Sequence, residues 1–353
     1  MAVADNHTAQ NSDHRTWVER IPAPYWIGGV LLLIIPSFAS NFVMYQIFGW
    51  TFILGMIALS LMFLGGYGGM VSLAQMTFAG FAGYLVAIFG DSAITGISMG
   101  MPWWLTIPLA LLLTVLFATA IGWLAVRTEG IYTIMITLAI AAAFFYFTRQ
   151  NYDLFNGFQG FNGVFPPELL GVNWRGPKAF YYMTLFFAVL SYLAVLYISR
   201  APFGLALQGV RDNPRRMAAL GYNVTAHRVA AYALAAIPAG VGGILLTWQS
   251  AQISPGTVGI QAAIDILVIA VIGGMSHPIG AFLGAFIYVL LKTFAIDVLI
   301  ALGLSGERFQ LLIGLGFLII VLFSTDGLLG LWKRLKDSRQ KDPLTGRDTG
   351  TSP

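Results

Sequence analysis

The residues best suited to polar chemistry are concentrated in residues 206–228, which read ALQGVRDNPRRMAALGYNVTAHR. Of the chain's 34 charged side chains, this stretch carries five, which are Arg211, Asp212, Arg215, Arg216 and Arg228. Long apolar segments flank it on both sides. Clustered arginines of this kind form ion pairs with carboxylates or phosphates. The stretch is therefore a candidate contact surface rather than a passive linker.

The same stretch predicts a short helix. Asn213 is a suitable N-cap, Pro214 a suitable first helical residue and Gly221 a suitable C-terminal stop. We expect Met217 and Leu220 to be exposed on this helix, between the arginines. The candidate contact residues are Arg211, Asp212, Asn213, Pro214, Arg215, Arg216, Met217, Ala219, Leu220 and Gly221. A basic amphipathic helix suits lipid headgroups or the groove of a protein partner, and its chemistry alone leaves both open.

Polar side chains inside apolar segments form a second candidate set. Asp265 interrupts what would otherwise be 63 charge-free residues. Gln75 and Thr77 follow a glycine cluster, and Thr133 and Thr137 share one face of a helix because they are four residues apart. Within a membrane such residues mark either a structural contact or a path for a solute. Both interpretations stay open for all five residues.

Two groups of glycines form the third candidate set, and they are Gly65, Gly66, Gly68, Gly69, Gly273, Gly274, Gly280 and Gly284. Small residues let helices approach closely in lipid, so helix packing is the simplest role. The cluster in residues 65–72 is also dense enough to break a helix and to line a cavity.

Several kinds of chemistry have no basis in the sequence. No Gly-Lys pair occurs, so the chain lacks a phosphate-binding loop of the G-x4-G-K-[ST] type and has no means of hydrolysing ATP by that route. Four isolated histidines and no cysteine give no metal-ligand pattern. The net charge of +4 fits basic loops that fix membrane orientation better than it fits nucleic-acid binding. We therefore expect neither an enzyme nor a bound cofactor.

The elements that position these residues are membrane helices. The chain is 58% apolar and 10% charged, whereas a soluble protein carries about 25% charged residues. No charged residue occurs in residues 21–90, and a membrane helix needs about 20 apolar residues. The fold class is therefore an all-α polytopic membrane protein. Its ten predicted spans, of which the eighth or ninth is short enough to be re-entrant, are 25–40, 42–64, 73–90, 103–126, 130–148, 179–198, 228–250, 262–276, 279–299 and 308–325.

The distribution of Lys and Arg predicts the orientation. With both termini inside, 14 basic residues lie on the inner side and five on the outer side, which is the excess of inner positive charge expected of a multi-pass membrane protein. The predicted division is an inner tail (1–24), a transmembrane domain (25–332) and a basic inner tail (333–353). Within the transmembrane domain, residues 149–178 form the long outer connection and residues 200–228 the long inner one.

Several motifs, taken in order, resemble one protein family. Residues 199–246 begin SRAPFGLALQGVRDNPRRMAALGYNV, residues 66–84 read GYGGMVSLAQMTFAGFAGY and residues 127–139 read RTEGIYTIMITLA. Residues 253–285 and the closing FSTDGLLG at 323–330 complete the set. Together they are similar to the permease subunits of bacterial ABC importers of the branched-chain amino-acid type. The resemblance extends over residues 25–332.

This resemblance implies a transport mechanism and partners. In the family, the inner helix that corresponds to residues 211–221 couples the permease to a cytoplasmic ATPase, which binds the ATP and Mg²⁺. The implied partners are a homologous permease subunit in a heterodimer, two ATPase subunits and a periplasmic substrate-binding protein. The implied location is the bacterial inner membrane. The family usually has an acidic residue at Asp265 and often has His where this chain has Gln75, so no titratable group is implied there.

Other functions remain as alternatives at this stage. Related importers of urea or short amides share these motifs, so they are the nearest alternative to branched-chain or other hydrophobic amino acids. A secondary transporter coupled to H⁺ or Na⁺ would use carboxylates inside the membrane, for which only Asp265 is a candidate. A membrane assembly scaffold would not need a contact helix on the inner side.

Overall fold

The computed structural model describes residues 23–301 and residue 314, apart from residues 129, 169, 170 and 172. Most of this part is helical. Its helices are α1 (Ala23–Phe38), α2 (Val43–Tyr67), α3 (Gln75–Phe89), α4 (Trp103–Ala125), α5 (Ile131–Gln150), α6 (Tyr152–Phe155), α7 (Pro177–Arg200), α8 (Pro202–Asp212), α9 (Pro214–Ala219), α10 (Val224–Ser250), α11 (Ile260–Gly273) and α12 (Ile279–Ala301). Two short strands, β1 (Phe161–Asn162) and β2 (Gln252–Ile253), pair in antiparallel fashion.

The chain divides into residues 1–41, which contain α1, and residues 42–353, which contain every other described element. Helix α1 has the apolar sequence APYWIGGVLLLIIPSF. Most of its backbone N–H and C=O groups need no partner outside the helix, because they pair within it. This property suits α1 to an apolar environment.

Helices α2, α3 and α10 form the core of the larger unit. Residues 51–62 of α2 are all buried, and α2 contacts α10, α11, α12 and α7. Both ends of α2 are wound as π-helix, at Val43–Gly49 and Phe63–Tyr67. Wide turns of this kind are rare and often lie at functional sites. The second π-helical turn leads directly into the glycine cluster.

Small residues let the core helices cross closely. A Cβ atom on Gly243 of α10 would lie 1.9 Å from the carbonyl oxygen of Ala79 in α3, so only glycine fits at this crossing. The α11–α12 hairpin is built in the same way. A Cβ on Gly273 would lie 1.8 Å from the carbonyl oxygen of Gly280, and one on Gly284 would lie 2.1 Å from that of Ile269. The close approach of the two hairpin helices thus leaves no room for a side chain at Gly273 or Gly284.

The long connection between α5 and α7 crosses the ends of the helices. Its strand β1 pairs with β2, placing Phe161 opposite Ile253, and the amide of Ala93 donates to the carbonyl oxygen of Asn162 at 2.8 Å. Phe155 and Phe161 are buried against the ring of Tyr84. The connection therefore forms a fixed cap on this end of the larger unit.

The predicted spans agree closely with the described helices. Each of the first nine predicted spans overlaps a helix, and among the described residues five helices are long and apolar enough to cross a membrane. The tenth span (308–325), apart from residue 314, and both tails, apart from residues 23 and 24, lie outside the described residues, so the span count and the orientation of the termini stay predictions. The connections 149–178 and 200–228 flank α7, whose 24 residues extend about 36 Å.

Candidate functional site

Helix α8 is a platform that the sequence did not predict. It begins with Pro202 at its first turn, and Leu207 and Val210 are completely buried. It packs against α7, α10 and the second π-helical turn of α2. The side-chain amide of Gln208 donates to the carbonyl oxygen of Ser199 at 3.0 Å, which fixes α8 to the end of α7. These contacts make α8 a rigid extension of the larger unit.

Helix α9 projects from this platform and begins and ends as predicted. The side-chain oxygen of Asn213 accepts a hydrogen bond from the Arg216 amide at 2.9 Å, and Pro214 occupies the first turn. Gly221 has φ +91°, a conformation that favours glycine, so it ends the helix. None of the six residues of α9 is buried. Its short length and exposure make it dependent on its caps.

Met217 departs from the expectation that it is exposed. A Cβ on Gly209 of α8 would lie 2.8 Å from the Met217 sulfur, and Met217 is only partly exposed. Its side chain therefore packs α9 against α8. Leu220 is 66% exposed, as predicted. The exposed surface of α9 and its C-cap residue, hereafter the α9 face, consists of Arg215, Arg216, Ala218, Ala219 and Leu220.

Aromatic contacts join the two ends of the α8–α9 segment. The His227 ring, in the first turn of α10, stacks on Phe203 of α8 with centroids 5.7 Å apart. Tyr222, which follows α9, contacts the same imidazole edge-on at 5.6 Å. The side chain of Asn223 caps α10 by accepting from the Ala226 amide at 3.0 Å. The segment is thus held at its entry and at its exit.

Arg211 connects the α8–α9 segment to the glycine cluster, a contact that sequence reasoning missed. Its guanidinium Nη1 donates to the carbonyl oxygen of Gly66 at the end of α2, and its Nε donates to Asp212 at 2.8 Å. The signal was present in the glycine cluster, because glycines permit close approach of another chain segment. The sequence did not indicate which segment approaches it.

The predicted polar residues of α3 and α5 are buried in helix contacts. The hydroxyl of Thr137 accepts from the Leu73 amide at 3.1 Å and donates to the carbonyl oxygen of Thr133 at 2.9 Å. The Thr133 hydroxyl in turn donates to the carbonyl oxygen of Thr128 at 2.9 Å. These bonds hold the turn between α2 and α3 against α5. They bring Thr133 and Thr137 together on one buried stripe, as their spacing predicted.

Gln75 and Thr77 are even more deeply buried. They are 1% and 0% exposed, and the Ser60 hydroxyl of α2 donates to the Gln75 side-chain oxygen. Within the described residues, the Gln75 amide nitrogen and the Thr77 hydroxyl have no hydrogen-bond partner. A buried polar group without a hydrogen-bond partner lowers the stability of a protein. Packing alone therefore does not explain why Gln75 and Thr77 are polar.

Asp265 differs from the other polar candidates because it is partly exposed. It lies in the second turn of α11, soon after β2, which places it near the end capped by the α5–α7 connection. The side-chain amide of Gln261 donates to its carboxylate at 3.0 Å, and the Tyr288 side chain of α12 interacts with it. The carboxylate is therefore oriented by both helices of the hairpin.

His277 lies in the turn between α11 and α12, close to the end of α7. The amide of Ile279 donates to its Nδ1 at 3.3 Å. Burial and the nearby positive charge of Arg200 both lower the pKa of the imidazole from its usual value near 6.5. Among the described residues, no group of three His, Asp or Glu side chains could hold a metal ion.

Comparison with known proteins identifies the family of the chain. A family model described as "Branched-chain amino acid transport system / permease component" matches residues 43–322, more than three quarters of the sequence. The chain belongs to this family. The matched range contains the α8–α9 segment, the glycine clusters and all five polar candidates. The family thus extends over the sites built above.

Individual relatives of this permease agree with that assignment. The high-affinity branched-chain amino acid permease LivM of Salmonella typhimurium is 23% identical over 81% of this chain and 68% of its own length. BraD of Pseudomonas aeruginosa, named for the same transport system, is 30% identical over 42% of this chain and 48% of its own length. The nucleoside ABC transporter permease NupC of Lactococcus lactis is 34% identical over 31% and 34%, respectively. No solved structure matches.

These matches confirm the resemblance seen in the motifs. The protein is a multi-pass membrane permease of the branched-chain amino-acid ABC transporter family. The named relatives are transport permeases rather than enzymes. The comparisons favour a branched-chain amino-acid permease over the three alternative functions, which are a urea or short-amide importer, an ion-coupled carrier and an assembly scaffold.

Proposed function

We propose that this chain is the transmembrane subunit of an ATP-driven importer in the bacterial inner membrane. The observation that carries the proposal is the α9 face, a basic and apolar surface held on the anchored platform of α8. Arg215 and Arg216 supply charge, and Leu220 supplies an apolar contact at the C-terminal end of the helix. A small protein-binding helix needs both kinds of contact to enter a groove. The partner in this proposal is a cytoplasmic ATPase subunit.

The cargo in this proposal is a branched-chain or other hydrophobic amino acid. The matched family and the names of LivM and BraD support this substrate class. NupC, whose name specifies nucleosides, matches a shorter part of the chain. In the full importer this subunit pairs with a homologous permease, two ATPase subunits and a periplasmic binding protein. The ATPase subunits bind ATP and Mg²⁺, because this chain lacks a phosphate-binding loop of the Walker type.

Transport follows from rigid contacts between the α9 face and the core. Closure of the ATPase pair upon ATP binding displaces each docked helix, and α8 passes the displacement to α7, α10 and α2, which it contacts. Packed helices shift as units between discrete arrangements rather than deforming continuously. The permease therefore alternates between states that open to opposite sides of the membrane.

The polar candidates enter this cycle in two ways. Asp265, which is partly exposed, lines the entrance to the substrate path, where its carboxylate attracts the amino group of an amino acid. Gln75, Thr77, Thr133 and Thr137 are buried, so they contact substrate only when helix movement separates α3 from its neighbours. The two unpartnered groups of Gln75 and Thr77 support that second role.

Charge reversal on the α9 face tests the proposal. The double variant Arg215→Glu/Arg216→Glu should lose association with the ATPase subunits, and ATP-dependent uptake should fall at least about tenfold, because like charges now oppose docking. Membrane insertion should be unchanged, since neither side chain is buried. Uptake is measured in vesicles containing the full importer, and association by co-purification.

A matched control is Arg127→Glu, which reverses another exposed charge in a predicted inner connection. It should retain ATPase association. Normal uptake by the double variant would show that the α9 face does not dock the ATPase. Calorimetry on the partner binding protein, with leucine, isoleucine, valine, urea and a nucleoside as ligands, would decide the cargo independently.

A further inference from the structure

The C-terminal end of α2 presents a carbonyl oxygen that needs a partner. The last carbonyls of a helix lack partners within the helix. Here the amides that follow α2 bond elsewhere, since Gly68 and Met70 donate to Leu64 and Gly69 donates to Gly65. The Gly66 carbonyl oxygen instead accepts from the guanidinium of Arg211. A cation at this position also complements the negative end of the helix dipole.

The Arg211 side chain makes contacts along its whole length. Asp212 accepts from its Nε and contacts its Nη2, both at 2.8 Å, which fixes the plane of the guanidinium. The aliphatic part of the side chain lies against Gly69, where a Cβ would be 2.6 Å from the Arg211 Cγ. Gly69 also has φ +67°, so both backbone conformation and space require glycine. Asp212 therefore orients the guanidinium of Arg211, and Gly69 leaves room for its aliphatic part.

The end of α2 is confined on its other side as well. A Cβ on Gly66 would lie 2.2 Å from the carbonyl oxygen of Met275, and one on Gly65 would lie 2.9 Å from the Met275 sulfur. Met275 belongs to the turn that joins α11 and α12. The end of α2 thus lies between Arg211 and this turn and is in close contact with both.

We propose that Arg211 is a positioning residue that transmits movement of the α8–α9 segment to the end of α2 and, through it, to the α11–α12 turn. It acts through its bond to Gly66 rather than by binding the ATPase. This inference rests on the proposed function, since it assigns a step within ATP-driven transport. It divides the arginines into two groups: Arg215 and Arg216 on the α9 face bind the partner, and Arg211 transfers the displacement.

The test separates association from coupling in the full importer, reconstituted with its ATPases and binding protein. Arg211→Met keeps the aliphatic stem and removes the donors. We expect normal ATPase co-purification and ATP hydrolysis, with substrate imported per ATP reduced about tenfold, the scale of one lost charge-assisted hydrogen bond. Arg211→Lys, which keeps the charge but not the planar fork, should recover part of the coupling.

The comparison variants make the result decisive. Arg215→Glu/Arg216→Glu should lose association itself, a different defect from that of Arg211→Met. Asp212→Asn, at a side chain 65% exposed, should fold normally and reduce import per ATP about threefold because it loosens the guanidinium. If Arg211→Met does not fold, Asp212→Asn carries the test, and wild-type coupling there overturns the inference.

Two further outcomes would also overturn it. Loss of ATPase co-purification in Arg211→Met would make Arg211 a docking residue. Wild-type import per ATP in that variant would mean that no displacement passes through the Gly66 contact. Failure of the proposed function has a distinct signature, because wild-type importer would then show no ATP-dependent uptake at all.

Discussion

Three arginines within six residues have different surroundings because the chain changes direction between them. Arg211 is in the last turn of α8, whereas Arg215 and Arg216 are in α9. Between the two helices, Asn213 has φ −153° and ψ 92°, an extended conformation that breaks the helix. Arg211 therefore reaches the end of α2, while the two arginines after the break project outward. Their chemical type is the same, and only their position relative to the break separates their roles.

A pH test addresses His277 at the same scale. Burial and Arg200 lower the pKa of its imidazole in the folded protein, so the unfolded chain binds a proton first as the pH falls. The free energy of unfolding should therefore decrease as the pH falls through about 6.5, and this decrease should stop below the folded pKa. His277→Gln removes this part of the pH dependence. Thermal unfolding in detergent between pH 8 and pH 5 measures it.

The wild type and the His277→Gln variant share every other titrating group, so their difference isolates this imidazole. Identical pH dependence in the two proteins would mean that His277 does not keep a lowered pKa in the folded state. If the variant lost more stability than the wild type as the pH falls, the His277 imidazole would bind its proton more tightly in the folded protein than in the unfolded chain.

At the scale of single elements, local signals were predictable and tertiary ones were not. Asn213, Pro214 and Gly221 determine the limits of α9 through their own backbone preferences, so the sequence indicated them correctly. Helix α8 was missed because its identity depends on burial against α7, α10 and α2. The exposure of Met217 was predicted wrongly for the same reason, since its sulfur packs at Gly209.

Removal of the α9 cap tests how far the α9 face depends on helix formation. Asn213→Ala deletes the acceptor for the Arg216 amide and should destabilise α9 by about 1 kcal/mol. Because α9 has six residues and none is buried, it has little other support. Hydrogen exchange at residues 216–219 should accelerate about fivefold, and ATP-dependent uptake should decrease.

Asn213→Asp is the matched control, because aspartate caps helices as well as asparagine does. It should preserve both exchange protection and uptake. If Asn213→Ala exchanged like the wild type, the platform of α8 rather than the cap would be holding α9 in its helical form.

For the whole molecule, the sequence predicted which segments are helices but not which of them form the core. Long apolar runs located the first nine spans because a membrane helix must be predominantly apolar. Helices α2 and α4 are equally apolar in sequence, yet α2 is almost wholly buried and α4 only along a narrow stripe. Hydrophobicity cannot separate these cases, since lipid and protein neighbours are both apolar. The buried roles of Thr133 and Thr137 were left open for the same reason.

The source of energy for transport depends on the whole molecule, because ion-coupled and ATP-driven transporters need different sites. An ion-coupled carrier binds its ion at carboxylates inside the membrane, and Asp265 is the only candidate that the sequence offers. An ATP-driven importer instead needs an inner surface for its ATPase, and the proposed function assigns that surface to the α9 face. Vesicles that contain this chain, its partner permease, the ATPases and the binding protein should accumulate amino acid only when ATP is present on the ATPase side. Imposed H⁺ or Na⁺ gradients without nucleotide should give no accumulation above empty vesicles.

The same vesicles made with Arg215→Glu/Arg216→Glu should not respond to ATP, which ties the energy requirement to docking. Accumulation driven by an ion gradient alone would contradict the proposed function and would favour an ion-coupled carrier that uses Asp265.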